Sequence, residues 1–271
     1  MLLFLLVLPG GGPAAAAVVA DLYRGEAIVT GQENLEERQR GFREALAVAA
    51  VKVSGDARLA GDARLAGDAR LAPALAEAER FVAHFSYEDR LAKKKLMDEQ
   101  GTRERSYILR VDFDPAAIDG LLAGLGARPW TADRPRLLVL LMVQDSVGEY
   151  LLAEDSARGW GQREALGDIA RRRGLPVALP RIADEGRTAG LAGRAAGEGA
   201  DAETTARAAA LYGAAAVLRG SMRMRPDGLW DTHWALAVPP GGEQSQTSAT
   251  TFDRAIAAGL AGAARQLAGS K

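Results

Sequence analysis

Residues 127–143 read ARPWTADRPRLLVLLMV. The first half is stiff, because Pro129 and Pro135 bracket Trp130 and Arg134. The second half, Leu137 to Val143, is unbroken and apolar. Seven apolar residues after charged and proline punctuation predict a strand buried on both faces. The stretch therefore predicts a linker, 127–135, that delivers the chain into the centre of a second domain. The fold class expected on either side of it is mixed α/β.

Ahead of the linker, Tyr23, Gly25, Ala27 and Val29 alternate with Arg24, Glu26, Ile28 and Thr30, which predicts a strand. Asn34 then opens a helix, with Glu37 three residues on as in a capping box. Leu35, Phe42, Leu46, Ala49 and Val53 share one face of that helix. Pro73 suits the first position of a helix reaching about Ala83. One strand is expected around Phe85, Tyr87 and Leu91, with His84 at the helix-to-strand junction. A second carries Tyr107, Leu109, Val111 and Phe113. Asp114 and Pro115 begin a helix that buries Ile118, Leu121, Leu122 and Leu125. The first domain, 21–126, is thus β-α-α-β-β-α.

Residues 55–72 are GDARLA three times over. Six residues of helix turn through about 600°, so the three leucines would point in three directions. Gly and Asp in every unit weaken a strand. Three short units are too few for a solenoid. A tandem expansion within a loop is expected.

Beyond the linker, the domain 136–271 is expected to run β-α-β-α-β-β-β-α. Residues 144–160 read as a polar loop and 184–200 as a flexible one. A helix from about Gln162 to Arg173 buries Ala165, Leu166, Ile169 and Ala170. Its final arginines, Arg171 to Arg173, offset the helix dipole, and Gly174 caps it. Trp230, Thr232, Trp234, Leu236 and Val238 share one face of a strand. A polar strand near Ser245–Thr251 belongs at an edge.

Composition removes several function classes. The chain of 271 residues is 48% apolar and 25% charged, enough to bury a core. A formal charge of -1 argues against a dedicated nucleic-acid binder. With no cysteine and two histidines, thiolate and multi-histidine metal sites lack parts, so no metal or cofactor is expected. Phosphate loops and nucleophile elbows are missing as well.

Residues 1–20, MLLFLLVLPGGGPAAAAVVA, hold an apolar core followed by small residues, the pattern of a signal peptide. A start of the mature chain between Ala16 and Asp21 and export from the cytoplasm follow from it. No segment is expected to span a membrane.

The candidate catalytic pair is His233 and Asp231, two residues apart on one strand face. A plain solvated strand face is the preferred reading of that pair. Asp112 and Asp114 are a candidate cation pair, although Asp114 already serves as a cap. Trp130, Arg134, Trp230 and Trp234 are the candidate binding residues. The tryptophans could line a groove, and core filling is the preferred reading for them.

The segments VKVSGDARLA at 51–60, FDPAAIDGLL at 113–122, PWTADRPRLLVLL at 129–141, ARRRGLPVALP at 170–180, YGAAAVLRGSM at 212–222 and WDTHWAL at 230–236 resemble a bacterial envelope family catalogued as domain of unknown function 2066. The resemblance implies a periplasmic protein and supplies no activity or site residue. We expect a protein that binds an envelope protein without chemistry. The alternatives are a hydrolase using His233 and Asp231, and a small-ligand carrier with a tryptophan-lined cleft.

Overall fold

The structure is a computed structural model and describes residues 16–59, 69–90, 105–130, 133–184, 190–196, 200–237 and 244–269. Its class is mixed α/β, as expected. Two compact units are present, each built from segments that are separate in sequence. The first comprises Val18–Ala132, Leu166–Leu175 and Ile256–Lys271. The second comprises Asp133–Ala165 and Pro176–Ala255, together with Ala16 and Ala17.

In the first unit, β2 (Arg24–Thr30) buries Gly25, Ala27 and Val29 and turns Ile28 to solvent. This is the alternation read from the sequence. Helix α1 (Leu35–Ser54) lies across the strand, so close that a Cβ on Gly25 would stand 2.0 Å from the Ala45 carbonyl oxygen. Asn34 caps the helix by accepting from the Glu37 N–H. The capping box is modified: the Glu37 carboxylate accepts from the Thr30 N–H at 3.0 Å, so it ties α1 to β2. At the other end, Gly55 has φ 74, and its N–H donates to Val51. A side chain at that φ is strained.

The repeat is more than a loop. Ala57–Leu59 and Ala69–Leu71, from the first and last GDARLA units, form 3-10 turns. Leu59 and Leu71 are 4% and 1% exposed and belong to the core of this unit. Burial of apolar surface outweighs the poor periodicity of the repeat. The middle of the repeat lies outside the described residues.

The helix expected from Pro73 to Ala83 is shorter. It is α2 (Ala72–Ala76), followed by a 3-10 turn at Ala78–Phe81. His84 consequently lies within β3 (Val82–Asp89) rather than at its junction. Leu91 lies outside the described residues. β4 (Ser106–Phe113) pairs antiparallel with both β2 and β3, giving the order β2-β4-β3. Asp114 caps α3 (Pro115–Gly124) through the N–H groups of Ala116 and Ala117, as read from the sequence. Asp112 is not a cation partner for it: its carboxylate accepts from the Arg24 guanidinium at 2.6 Å.

The second unit contains β6 (Leu137–Asp145), whose first five residues have no exposed surface. The sequence marked this strand as central, and it is. β9 (Ala216–Met224) lies parallel beside it, and on its other side come β7 (Gly148–Leu151) and β8 (Val177–Ala178). β10 (Trp230–Ala237) and β11 (Gln244–Thr250) continue the sheet, with β11 at the edge as expected. The preceding linker is partly a strand: β5 (Asp133–Pro135) forms a two-stranded sheet with β1 (Ala16–Val18).

Two expected loops carry structure. β7 falls within 144–160, where it forms a hairpin with β6. A helix, Leu191–Ala196, falls within 184–200 and buries Leu191, Ala192 and Ala195. We number it α5, counting α4 (Trp160–Arg173) before it, and it is followed by α6 (Ala202–Leu211) and α7 (Phe252–Leu267). Small residues let α5 and α6 sit close on Leu138, Leu140 and Val217. A segment rich in Gly and Ala was read as flexible because its helical face is only three residues wide. Of the three arginines ending α4, Arg171 and Arg172 are exposed. Arg173 is turned inward, and burial lowers its pKa.

Candidate functional site

The β6-β7 hairpin turns on Asp145. Its Oδ1 accepts from the N–H groups of Val147 at 2.8 Å and Gly148 at 3.2 Å, and from Arg158 Nη2 at 2.8 Å. The Val147 N–H first, and the Arg158 contacts after it, hold the Asp145 carboxyl below the usual carboxylate range. Arg158 also lies over the Tyr150 ring, 4.1 Å from its centroid. A cation fixed between a carboxylate and an aromatic face has few rotamers left. The turn is therefore held rigidly, yet Val147 at its tip is 81% exposed.

Three further large apolar side chains of this unit are exposed, one of them Leu211 on α6 at 44%. Trp160, the first residue of α4, is 66% exposed. The buried residue of that helix nearest in sequence, Leu166, is six positions on, and six residues of helix place Trp160 off the buried face. Ile182 is 53% exposed, on a segment pinned by Asp155, which accepts from the N–H groups of Ile182 at 2.7 Å and Ala183 at 3.1 Å. Those N–H groups, Ala183 first, keep the Asp155 carboxyl below its ordinary range. Rigid backbone presenting isolated apolar side chains suits a partner that supplies its own apolar surface.

Sequence reasoning reads 144–160 as a polar loop and singles out none of Val147, Trp160 and Ile182. A signal was present for one of them: Trp160 stands between Gly159 and Gly161, with Arg163 and Glu164 as its helical neighbours, so nothing apolar on its own helix could cover it.

The residues singled out from sequence have other surroundings. Trp230 and Trp234 are 7% and 2% exposed and belong to the core. Trp130 is half-buried, and its N–H donates to the Val53 carbonyl at 2.7 Å. Arg134 is fully buried on β5, and burial pushes its guanidinium down to about 10.

His233 is exposed on β10, with Ser221 of β9 as its register partner. Asp231 shares this face, and its carboxylate is 3.9 Å from Arg225 Nη1. Ser221, His233 and Asp231 thus share one sheet face. A cavity of about 250 Å³ lies elsewhere, in the first unit, lined by Phe42, Arg43, Leu75, Glu77 and Arg80 among others. Among the described residues, no group of three or more His, Asp or Glu side chains is placed to hold a metal ion. No helix among them is long and apolar enough to cross a membrane.

Comparison with known proteins bears on the first unit. Residues 16–131 match the model of a family. It is described as a domain of unknown function, DUF8605. The resemblance to domain of unknown function 2066 is thereby overturned: the matching model is that of a different family, and it covers less than half of the chain rather than nearly all of it. The segments quoted for that resemblance were short runs of common apolar and charged residues, which mark strands and caps more than ancestry. The matched range nearly coincides with the contiguous part of the first unit, Val18–Ala132. No curated protein and no solved structure matches the chain.

Proposed function

We propose that the chain is exported through its first 20 residues and acts in the periplasm by binding an envelope protein. The observation that carries the binding part is the exposed set Val147, Trp160 and Ile182 on segments fixed by Asp145, Arg158 and Asp155. An exposed tryptophan on a rigid support loses little side-chain freedom when a partner covers it, which is why such residues carry much of the energy of interfaces. Export rests on the apolar core and small-residue cluster of residues 1–20.

Two experiments test the two parts. N-terminal sequencing of protein from the periplasm is expected to find a start between Ala16 and Asp21; a cytoplasmic product retaining residues 1–15 overturns export. For binding, Val147→Glu with Trp160→Glu is expected to reproduce the phenotype of a gene deletion while the protein is still exported and melts normally. His233→Ala and Asp231→Asn are expected to leave that phenotype absent. The opposite pattern points to the hydrolase reading instead.

A further inference from the structure

The sheet of the first unit has two edges, and they are treated differently. On β2, three of the backbone groups that face away from β4 are taken up by side chains of α1. Lys52 Nζ donates to the Arg24 carbonyl at 2.7 Å, Arg40 Nη2 donates to the Ile28 carbonyl at 2.6 Å, and Glu37 accepts from the Thr30 N–H at 3.0 Å. Charged side chains laid along an edge prevent a further strand from pairing there. The even-numbered residues of β2 therefore point outward, and its odd-numbered residues bond to β4.

That parity sets the other edge. The odd-numbered residues of β4 bond to β2, as the Phe113 N–H does to the Tyr23 carbonyl. Its even-numbered residues bond to β3, as the Ser106 carbonyl does with the Arg90 N–H. In the register Ser86↔Arg110 and Glu88↔Ile108, the backbone groups of Ser86 and Glu88 are spent on β4. Those of Phe85 and Tyr87 face outward. Among the described residues, β4 is the strand paired with β3. Ala83, His84, Phe85 and Ser86 are all exposed.

The sequence of this edge is self-complementary. His84-Phe85-Ser86-Tyr87-Glu88 is centred on Ser86, and a second copy run antiparallel about that centre sets His84 opposite Glu88 and Phe85 opposite Tyr87. On the open face of the sheet, a histidine meets a carboxylate twice. On the α1 face, an aromatic meets an aromatic twice, extending the edge-to-face row Phe42, Phe85, Tyr87 and Tyr107, whose successive centroids are 5.3, 5.9 and 6.0 Å apart. Cross-strand pairs of both kinds favour a register. Phe85 and Tyr87 are the residues whose N–H and C=O face outward, so the same register lets each exchange two hydrogen bonds with its opposite number.

We infer that the first unit forms a symmetric dimer with a second copy of this chain, β3 pairing antiparallel with β3 about Ser86 to give one six-stranded sheet. The occupant is a second copy because the charge and aromatic order of the edge complements itself in one register. This inference concerns a surface separate from Val147, Trp160 and Ile182, and it stands or falls independently of the proposed function.

The absence of cysteine makes the register directly testable. Ser86 faces its own copy as a non-hydrogen-bonded pair, with Cα atoms about 4.5 Å apart, a separation that a disulfide spans. Under mild oxidation, the full chain carrying Ser86→Cys is expected to become a covalent dimer in most molecules. Glu88→Cys, which sits opposite position 84 rather than itself, is expected to stay uncrosslinked. Sedimentation of the unsubstituted chain at about 100 µM is expected to show a dimer, well populated if Kd is near 10 µM. Glu88→Arg is expected to weaken it at least about tenfold, and adding His84→Glu to recover most of the loss, since a carboxylate then again faces a cation across the pair. Circular dichroism of each variant shows whether it is folded. A monomer at that concentration, a crosslink through position 88 in place of 86, or a dimer indifferent to Glu88→Arg would overturn the inference.

Discussion

Gly220 on β9 and Trp234 on β10 are register partners, and the missing side chain of the one is the space filled by the ring of the other. A Cβ at 220 would stand 2.5 Å from Trp234 Cζ3 and 2.9 Å from Leu141 Cδ1. At 2% exposure, the indole has no route to solvent. Gly220→Ala is expected to destabilise the protein by about 1–3 kcal/mol, the range for overpacking a core. Urea denaturation measures it, and an unchanged midpoint would mean that the ring moves freely.

Leu140 has no exposed surface on β6 and packs with Leu138, Val217 and the small residues of α5 and α6. Leu140→Ala is expected to cost about 2–5 kcal/mol, transfer and cavity together. Denaturant unfolding reads this, and a cost near zero would remove β6 from the centre of its sheet.

The repeat makes a prediction that depends on counting. Deleting residues 61–66 leaves two GDARLA units, one for each buried leucine position, and changes a loop-closure term worth only about 0.6 kcal/mol per doubling of length. Little loss of stability is expected. Deleting 61–72 leaves one unit to serve the places of both Leu59 and Leu71, so a loss of about 2–5 kcal/mol is expected. Thermal melts showing the same small effect for both deletions would mean that one of the leucines is idle.

Glu37 links α1 to β2, and its pKa is lowered to about 2, first by Arg40 and next by the Thr30 N–H. A carboxyl whose pKa is lower folded than unfolded stabilises the protein above its unfolded value, about 4.3. That contribution disappears as pH falls through the folded value. Between about pH 4.3 and 2, the stability of the parent chain is therefore expected to fall more steeply than that of Glu37→Gln. Parallel acid melting curves for the two would remove Glu37 as a contributor.

Much of the fold was legible because it is written in short periods. β2 and β10 alternate, the prolines and Asp114 mark the start of α3, and seven apolar residues mark β6. The short elements were less so. β7 is four residues with a Gly and a Glu, and α5 is six residues of mostly Ala and Gly. Neither carries a period, and their burial depends on what the rest of the chain places above them. The repeat failed for the same reason in reverse: its period of six, which spreads the leucines around a helix, hid two leucines that long-range packing draws inward.

The class, the central strand, the caps and the alternation that sends Trp230 and Trp234 one way and Asp231 and His233 the other can be read along the chain. Which of those faces is covered depends on the folded layers. A strand's alternation separates two faces without saying which one meets another layer. In this protein, the layers put Trp230 and Trp234 in the core, left Val147, Trp160 and Ile182 outside, and laid side chains of α1 along the β2 edge, while β4 is the strand paired with β3 among the described residues. Each outcome depends on contacts between residues far apart in the chain, which no local pattern encodes.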